Sequence, residues 1–268
     1  MAINGLEEII MKILVCIKQV PDMESRFRPD ASGVWYSEID MAFRVNEYDE
    51  YAIEEAVRLK EKLGGEPELT VLSLGPDRVV EGIKKALAMG CDRGMHVQDS
   101  ASQLKDPWQI ASAIAASARG ENYDLIFTGL QSQDRGSAQV GTMVAELLEY
   151  SCATTAIGFE YADGSVTVKR ELEGGLRAVV RLKTPALVTC QLGLNQPRYP
   201  TLPNIMKAKK KEILTIPVSE LLHEEPRTVM AGFYAPAKKG TGVVLEGDVA
   251  DQVDKLIGIL KDKTGLLR

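Results

Sequence analysis

A chain of 268 residues, 45% hydrophobic and 26% charged, is long enough to bury a full core as one large domain, or one domain plus an arm, and too apolar to be disordered. Its formal charge of -6 excludes a field that gathers nucleic acid or anionic membrane, so any basic cluster must act locally. The four cysteines (Cys16, Cys91, Cys152, Cys190) form no CxxC pair and have no histidine at zinc-like spacing, which fits a reduced, cytoplasmic protein.

The N-terminal segment has an apolar run, but Glu7 and Glu8 stand where a signal peptide would carry positive charge. No stretch approaches the roughly 18 apolar residues of a membrane span. Residues 1–10 read as an extension or an alternative start before Met11. Lys12–Ile17 reads as a buried strand. Asp49–Leu63 places Ile53, Ala56, Val57, Leu59 and Leu63 at helical spacing, with Gly64 as the stop. Leu69–Leu74 is a second strand and Pro76–Met89 a helix. A short strand near Met95–Val97 leads to Asp106–Pro107, an N-cap with proline at the first helical position, opening a helix to about Ala118. Tyr123–Thr128 is another continuous apolar strand.

Strands buried on both faces and separated by helices imply a parallel sheet with right-handed crossovers. The expected fold is α/β: a doubly wound, mostly parallel Rossmann-like sheet over residues 11–192. Cys152–Phe159, Ser165–Arg170, Leu176–Leu182 and Ala186–Cys190 are strand-like and separated by turn signals, which predicts antiparallel strands at the sheet edge. Residues 193–268 read as an extended C-terminal arm, proline-spaced to about Pro236, that ends in a helix over Val249–Leu260.

Parallel sheets of this kind bind ligands at the carboxyl ends of their strands, beside helix starts. The candidate loop follows Tyr123–Thr128 and runs Gly129-Leu130-Gln131-Ser132-Gln133-Asp134-Arg135-Gly136-Ser137-Ala138-Gln139-Val140-Gly141. Its small residues allow close backbone approach to a phosphate; Ser137 is placed to cap the next helix, and Arg135 to meet negative charge. An ordinary strand–loop–helix connection would use the same residues. Neither G-x-G-x-x-G nor the P-loop pattern G-x-x-x-x-G-K-S/T is present, so a dinucleotide dehydrogenase or P-loop enzyme lacks its hardware. Asn46-Glu47-Tyr48-Asp49 is a second candidate surface, with helix capping by Asn46 or Asp49 as the plainer explanation. His96 and His223, the only histidines, have no partnered nucleophile, and no residue is assigned a catalytic role.

Taken together, Lys18–Asp22, Tyr51–Glu61, Ala86–Asp92, the Gly129–Gly141 loop, Arg170–Thr189 and Leu194–Lys211 resemble the electron-transfer flavoprotein β subunit. The likeness runs from about Met11 to Ile213. It implies a heterodimer whose α subunit carries most of the redox FAD, with the β subunit shielding part of the flavin and binding AMP in a structural role. It implies electrons drawn from dehydrogenases, such as the acyl-CoA dehydrogenases of fatty acid β-oxidation, and passed to an acceptor that can be membrane-bound. By position, AMP contacts would fall on Cys16, on Asn46, Glu47, Tyr48 and Asp49, on Leu74, and on Gly129, Gln131, Asp134, Arg135, Gly136, Ser137, Ala138, Gln139 and Val140. Glu160 resembles an acid on the flavin side of the interface; an exposed strand-end glutamate reads equally well. Leu194, flanked by Gly193, Asn195 and Pro197, resembles the anchor that family members insert into partner dehydrogenases, with Arg198, Tyr199 and the run Lys207, Lys209, Lys210 and Lys211 beside it.

Two further readings stay open. Some family members bind a second FAD in place of AMP and bifurcate electrons. The Ala138–Gly141 ending and Lys18–Asp22 lean that way, whereas Gly136, Ser137 and the Leu194–Lys211 segment lean to AMP. From another class, a stand-alone ATP-binding protein of similar layering would need a Ser-Gly-Gly phosphate loop and an acidic metal pair that the sequence lacks.

Overall fold

The computed structural model describes residues 10–234, 240 and 242–264; the reading of residues 1–10 as an extension lies outside them apart from Ile10. The chain divides into two units, 1–233 and 234–268. In chain order the elements of the first are β1 (Lys12–Ile17), β2 (Gln19–Pro21), β3 (Phe43–Val45), α1 (Glu47–Lys62), β4 (Glu68–Gly75), α2 (Val80–Met89), β5 (Arg93–Gln98), α3 (Pro107–Ala118), β6 (Leu125–Gly129), α4 (Val140–Leu148), β7 (Ser151–Ala162), β8 (Ser165–Glu171), β9 (Arg177–Lys183), β10 (Ala186–Cys190), α5 (Leu202–Ala208) and β11 (Ile213–Pro217). The second unit holds α6 (Val249–Thr264).

Alternation along β1 shows how the sequence makes a layered core. Ile13, Val15 and Ile17 face one way and pack with Ala52, Ile53 and Ala56 of α1 and Ile83 and Leu87 of α2. Leu14 and Cys16 face the other way, with Ile114 and Ala118 of α3 and Val144 and Ala145 of α4. Both faces of the strand are therefore sealed, which is the doubly wound arrangement expected from its unbroken apolar run. Each fully buried aliphatic side chain here stabilises the fold by roughly 2 kcal/mol.

The sheet has nine strands in the order β11-β5-β4-β1-β6-β10-β7-β8-β9. Neighbours from β11 through β7 run parallel, and β8 and β9 add antiparallel. Two expectations change here. Residues 186–190 are not an antiparallel edge strand: they lie inside the sheet, parallel to both β6 and β7, with register from Ala186 opposite Leu125 to Cys190 opposite Gly129. The reason is legible in the burial, since every residue of β10 is buried whereas β9 alternates exposed and half-buried positions.

The extended arm expected from residue 193 begins instead as part of the first unit. Thr201 caps α5 by accepting from the Asn204 N–H at 3.4 Å. β11 then extends the sheet beside β5, pairing Ile213 with Gly94 and Ile216 with Val97. Farther on, Asp106 Oδ2 accepts the backbone N–H groups of Arg227 and Thr228 at 2.7 and 2.8 Å. The carboxylate that caps α3 through Gln109 thus also fastens the chain after β11. In the second unit no described residue of α6 is buried, and Val253, Leu256 and Ile257 are exposed along it. Among the described residues no helix is long and apolar enough to cross a membrane.

Candidate functional site

At the carboxyl ends of β1, β4 and β6 the chain encloses a cavity of about 170 Å³, many times the roughly 15 Å³ that one water needs. Cys16, Leu74, Ile110, Ile114, Val140 and Val144 give it apolar walls; Lys18, Asn46, Asp49, Asp134, Arg135 and the start of α4 give it polar ones.

The loop after β6 is shaped by the start of α1. A Cβ on Gly129 would stand 2.2 Å from Asp49 Oδ1 and 2.7 Å from Tyr48 Cβ, so only glycine lets the two backbones come this close. Asp49, 5% exposed, then accepts three N–H groups: the backbone of Lys18 at 2.6 Å, the backbone of Gly129 at 3.1 Å and the Asn46 side chain at 3.0 Å. Burial pushes the Asp49 carboxyl up to about 7, and the amide hydrogen bonds and Lys18 oppose that rise. Asn46 holds the N-cap position of α1 but makes no side-chain cap. Its carboxamide is used across the cavity, donating to Gln131 O at 2.8 Å and accepting from the Gln133 N–H at 3.0 Å.

Lys18 reaches the same loop and donates to both Asp134 oxygens at 2.7 Å and to Ser132 Oγ at 3.3 Å. Burial lowers its ammonium below the ordinary lysine value, with Asp134 pulling the other way. Arg135 donates to Lys105 O at 3.0 Å and to Gln103 O, so two of its five N–H donors are engaged by backbone carbonyls.

Helix α4 starts at Val140 with Gln139 as N-cap and no side-chain cap. Ser137, the expected cap, is exposed and lies ahead of that position, because the loop takes two further residues, with Ala138 at φ 52°, before the helix begins. The first N–H groups of α4 have no partner within the helix, and Gln139, Val140 and Gly141 line the cavity. A Cβ on Gly141 would come 2.6 Å from Thr128 Oγ1, so this helix start is held against β6 by the absence of a side chain.

Of the residues anticipated for a nucleotide, the cavity brings together Cys16, Asn46, Asp49, Leu74, Gly129, Gln131, Asp134, Arg135, Ser137, Ala138, Gln139 and Val140. Glu47 and Tyr48 stand behind the loop, accepting from Gln133 at 3.0 Å and Gln131 at 3.1 Å. Gly136 is exposed at φ 60° and makes the turn. Glu160 is exposed on β7, opposite Thr167, and is not a wall of the cavity. Sequence reasoning missed Trp35, Tyr36, Glu38, Ser102, Gln103 and Lys105, which come from the segments joining β2 to β3 and β5 to α3, and Arg78, which was read only as part of a helix. Lys18 carried a signal only as part of the Lys18–Asp22 run.

The segment expected to meet partners is tied to its own domain more than its composition implied. Leu194 is half-buried and packs against the core, so its own fold does cover part of it. Asn195 donates to Tyr51 O and Glu55, both at 2.9 Å. Arg198 bonds Glu54 at 2.8 and 2.9 Å and Glu61 at 2.5 and 2.9 Å. Pro197 is half-buried, and Lys211 donates to Leu87 O and Cys91 O at the end of α2. Tyr199 remains 91% exposed, with Leu202 and Met206 uncovered and Lys207, Lys209 and Lys210 in solvent beside them.

Fold and cavity together define an α/β protein of the Rossmann-like doubly wound class, with its ligand space at the strand ends. Residues 35–221 match the electron transfer flavoprotein domain family. The electron transfer flavoprotein subunit beta of Mus musculus is 40% identical over 251 residues, covering 92% of this chain and 96% of that protein. The subunit of the same name from Bradyrhizobium diazoefficiens is 41% identical over 96% of this chain and 100% of its own length, and that of Bacillus subtilis 34% identical over 96% and 100%. The chain belongs to the electron-transfer flavoprotein β-subunit family.

Proposed function

We propose that the chain is the β subunit of a cytoplasmic two-chain electron carrier, paired with an α subunit that holds most of the FAD, and that its own cavity keeps AMP as a structural nucleotide. The observation that carries the AMP assignment is the uncapped start of α4 opening into a cavity with aliphatic walls. A phosphate there would accept the free N–H groups at the positive end of the helix, and the adenine would lie among Ile110, Ile114, Val140 and Val144. Gly141 lets that helix start lie directly against β6. The flavin supplies the redox chemistry when bound; this chain's part is to fix the interface and shield it, and Glu160 is the exposed acid offered toward the flavin side.

The same reading assigns residues 194–211 to docking on donor dehydrogenases such as acyl-CoA dehydrogenases. In its support, Tyr199, Leu202 and Met206 leave apolar surface uncovered beside the exposed lysines, and Arg198 fixes the backbone that carries Tyr199. The exposed face of α6 suits a docking role on the α subunit.

Denaturing the purified αβ complex and counting released nucleotide by chromatography tests the assignment. One FAD and one AMP per complex is the expected result. Two FAD and no AMP would replace it with the bifurcating reading, and ATP turnover by the chain alone would move the protein to a different class.

A further inference from the structure

The loop between β2 and β3 closes on itself where Asp22 N–H meets Ala42 O at 2.8 Å, and it arches so that Trp35 and Tyr36 line the cavity. Tyr36 is buried, its ring edge-on to Phe27 at 5.2 Å and to Phe233 at 6.0 Å, which roots the loop on one side. Trp35 stacks on Tyr36 with centroids 4.4 Å apart and planes at 30°. From the opposite wall the Arg135 guanidinium lies 4.9 Å from the Trp35 ring, while its N–H groups hold Gln103 O and Lys105 O. One side chain thus joins three loops that all border the same cavity. Trp35 Nε1 is buried and has no hydrogen-bond partner, an arrangement that is unfavourable until an acceptor arrives.

We propose that Arg135 is a positioning residue: it latches the 22–42 loop over the cavity by stacking on Trp35, and Trp35 gives its indole N–H to an acceptor of the bound adenylate. This rests on the adenylate assignment above. Guanidinium-to-indole stacking needs the planar group, and two carbonyls at once need its fork of donors, so lysine cannot replace it. A phosphate contact through a single N–H would tolerate lysine, whereas a paired contact would be lost for AMP and leave adenosine binding unchanged.

The test uses the full chain purified with its α subunit, stripped of nucleotide and loaded with AMP that carries a methylanthraniloyl label on the ribose. Release is followed by the label's emission after a chase with excess AMP. Arg135→Ala and Arg135→Lys should both release the label about tenfold faster than wild type. Trp35→Phe keeps a ring in the stack but loses the N–H, and should weaken equilibrium affinity about fivefold. Slow release retained by Arg135→Lys but lost by Arg135→Ala would make the arginine a simple counter-charge and overturn the latch. Wild-type behaviour of Arg135→Lys and Arg135→Ala would overturn it too, and unchanged affinity in Trp35→Phe would overturn the indole contact. Should Arg135→Ala fail to fold, the lysine variant alone decides. Failure of the stripped wild type to rebind unlabelled AMP in calorimetry would instead sink the adenylate assignment itself.

Discussion

Helix α1 carries acidic groups at its start and along its flank, and the two sets are held in different ways. Asp49, at the start, is 5% exposed and is met by N–H groups from Lys18, Gly129 and Asn46. Glu54 and Glu61, on the flank, share the Arg198 guanidinium; the Glu54 side chain is 6% exposed and that of Glu61 58%. Loss of a partner in the first place strands buried donors; in the second it strands the buried Glu54 carboxylate, while water takes over much of the role at Glu61. Burial, and not the number of bonds, therefore sets Asp49 and Glu54 apart from Glu61 on the same helix.

Asp49→Ala should have the largest effect, destabilising the chain by roughly 3–5 kcal/mol in urea titrations, because it leaves the backbone N–H groups of Lys18 and Gly129 without their acceptor. A change within about 1 kcal/mol would erase the distinction between the two sets. Gly129→Ala forces a Cβ onto Asp49 and should destabilise by about 1–3 kcal/mol, with loss of adenylate binding measured by calorimetry. Arg198→Ala should destabilise by about 1–2 kcal/mol, and Arg198→Lys should recover little, since an ammonium cannot serve both carboxylates through paired bonds.

The two sets should also part with pH. The folded Asp49 carboxyl is raised by burial from 3.8 to about 7, so the folded state holds the proton more tightly than the unfolded chain. Its contribution is therefore fully present below 3.8 and is lost as pH climbs toward 7. Glu61 has the opposite sign: hydrogen bonds from Arg198 hold it below its ordinary 4.5, so its contribution is present above that value and is lost as pH falls. Urea midpoints of wild type, Asp49→Asn and Glu61→Gln over this range check both slopes; a wild-type profile parallel to that of Asp49→Asn would refute the first. Smallest of all, Ser137→Ala should change stability by less than about 0.5 kcal/mol in the same titration, because the exposed hydroxyl caps no helix.

Much of the layered fold was legible because its strands are written as unbroken apolar runs, as in residues 12–17, 69–74 and 123–128, and because Asp106–Pro107 announces a helix in a way few other segments do. The place of β10 was not, since an apolar pentapeptide states that it is buried but not which strands flank it. Residues 202–217 were read as arm because their prolines hid a short helix and an edge strand that alternates weakly. In the cavity, the loop after β6 could be found from its small residues, and Asn46 and Asp49 from their position before a helix. What their side chains do could not, because Asn46 spends its amide on Gln131 and Gln133, 85 and 87 positions away. Trp35 meets the same space from a loop whose sequence carries no period, and Arg78 from the helical turn Asp77–Val79 that opens the segment read as a helix.

The position of β10 also bears on how the protein is made. It is produced after β7, β8 and β9, yet it sits between β6 and β7. Until residue 190 has left the ribosome, the parallel half and the hairpin half have no shared ladder, and a gap of roughly 10 Å, two strand spacings, separates them. Both borders of that gap are bare strand edges able to pair with another chain. A nascent chain halted near residue 185 would therefore be two unjoined pieces prone to aggregate, and the five residues that follow are the wedge that makes them one sheet.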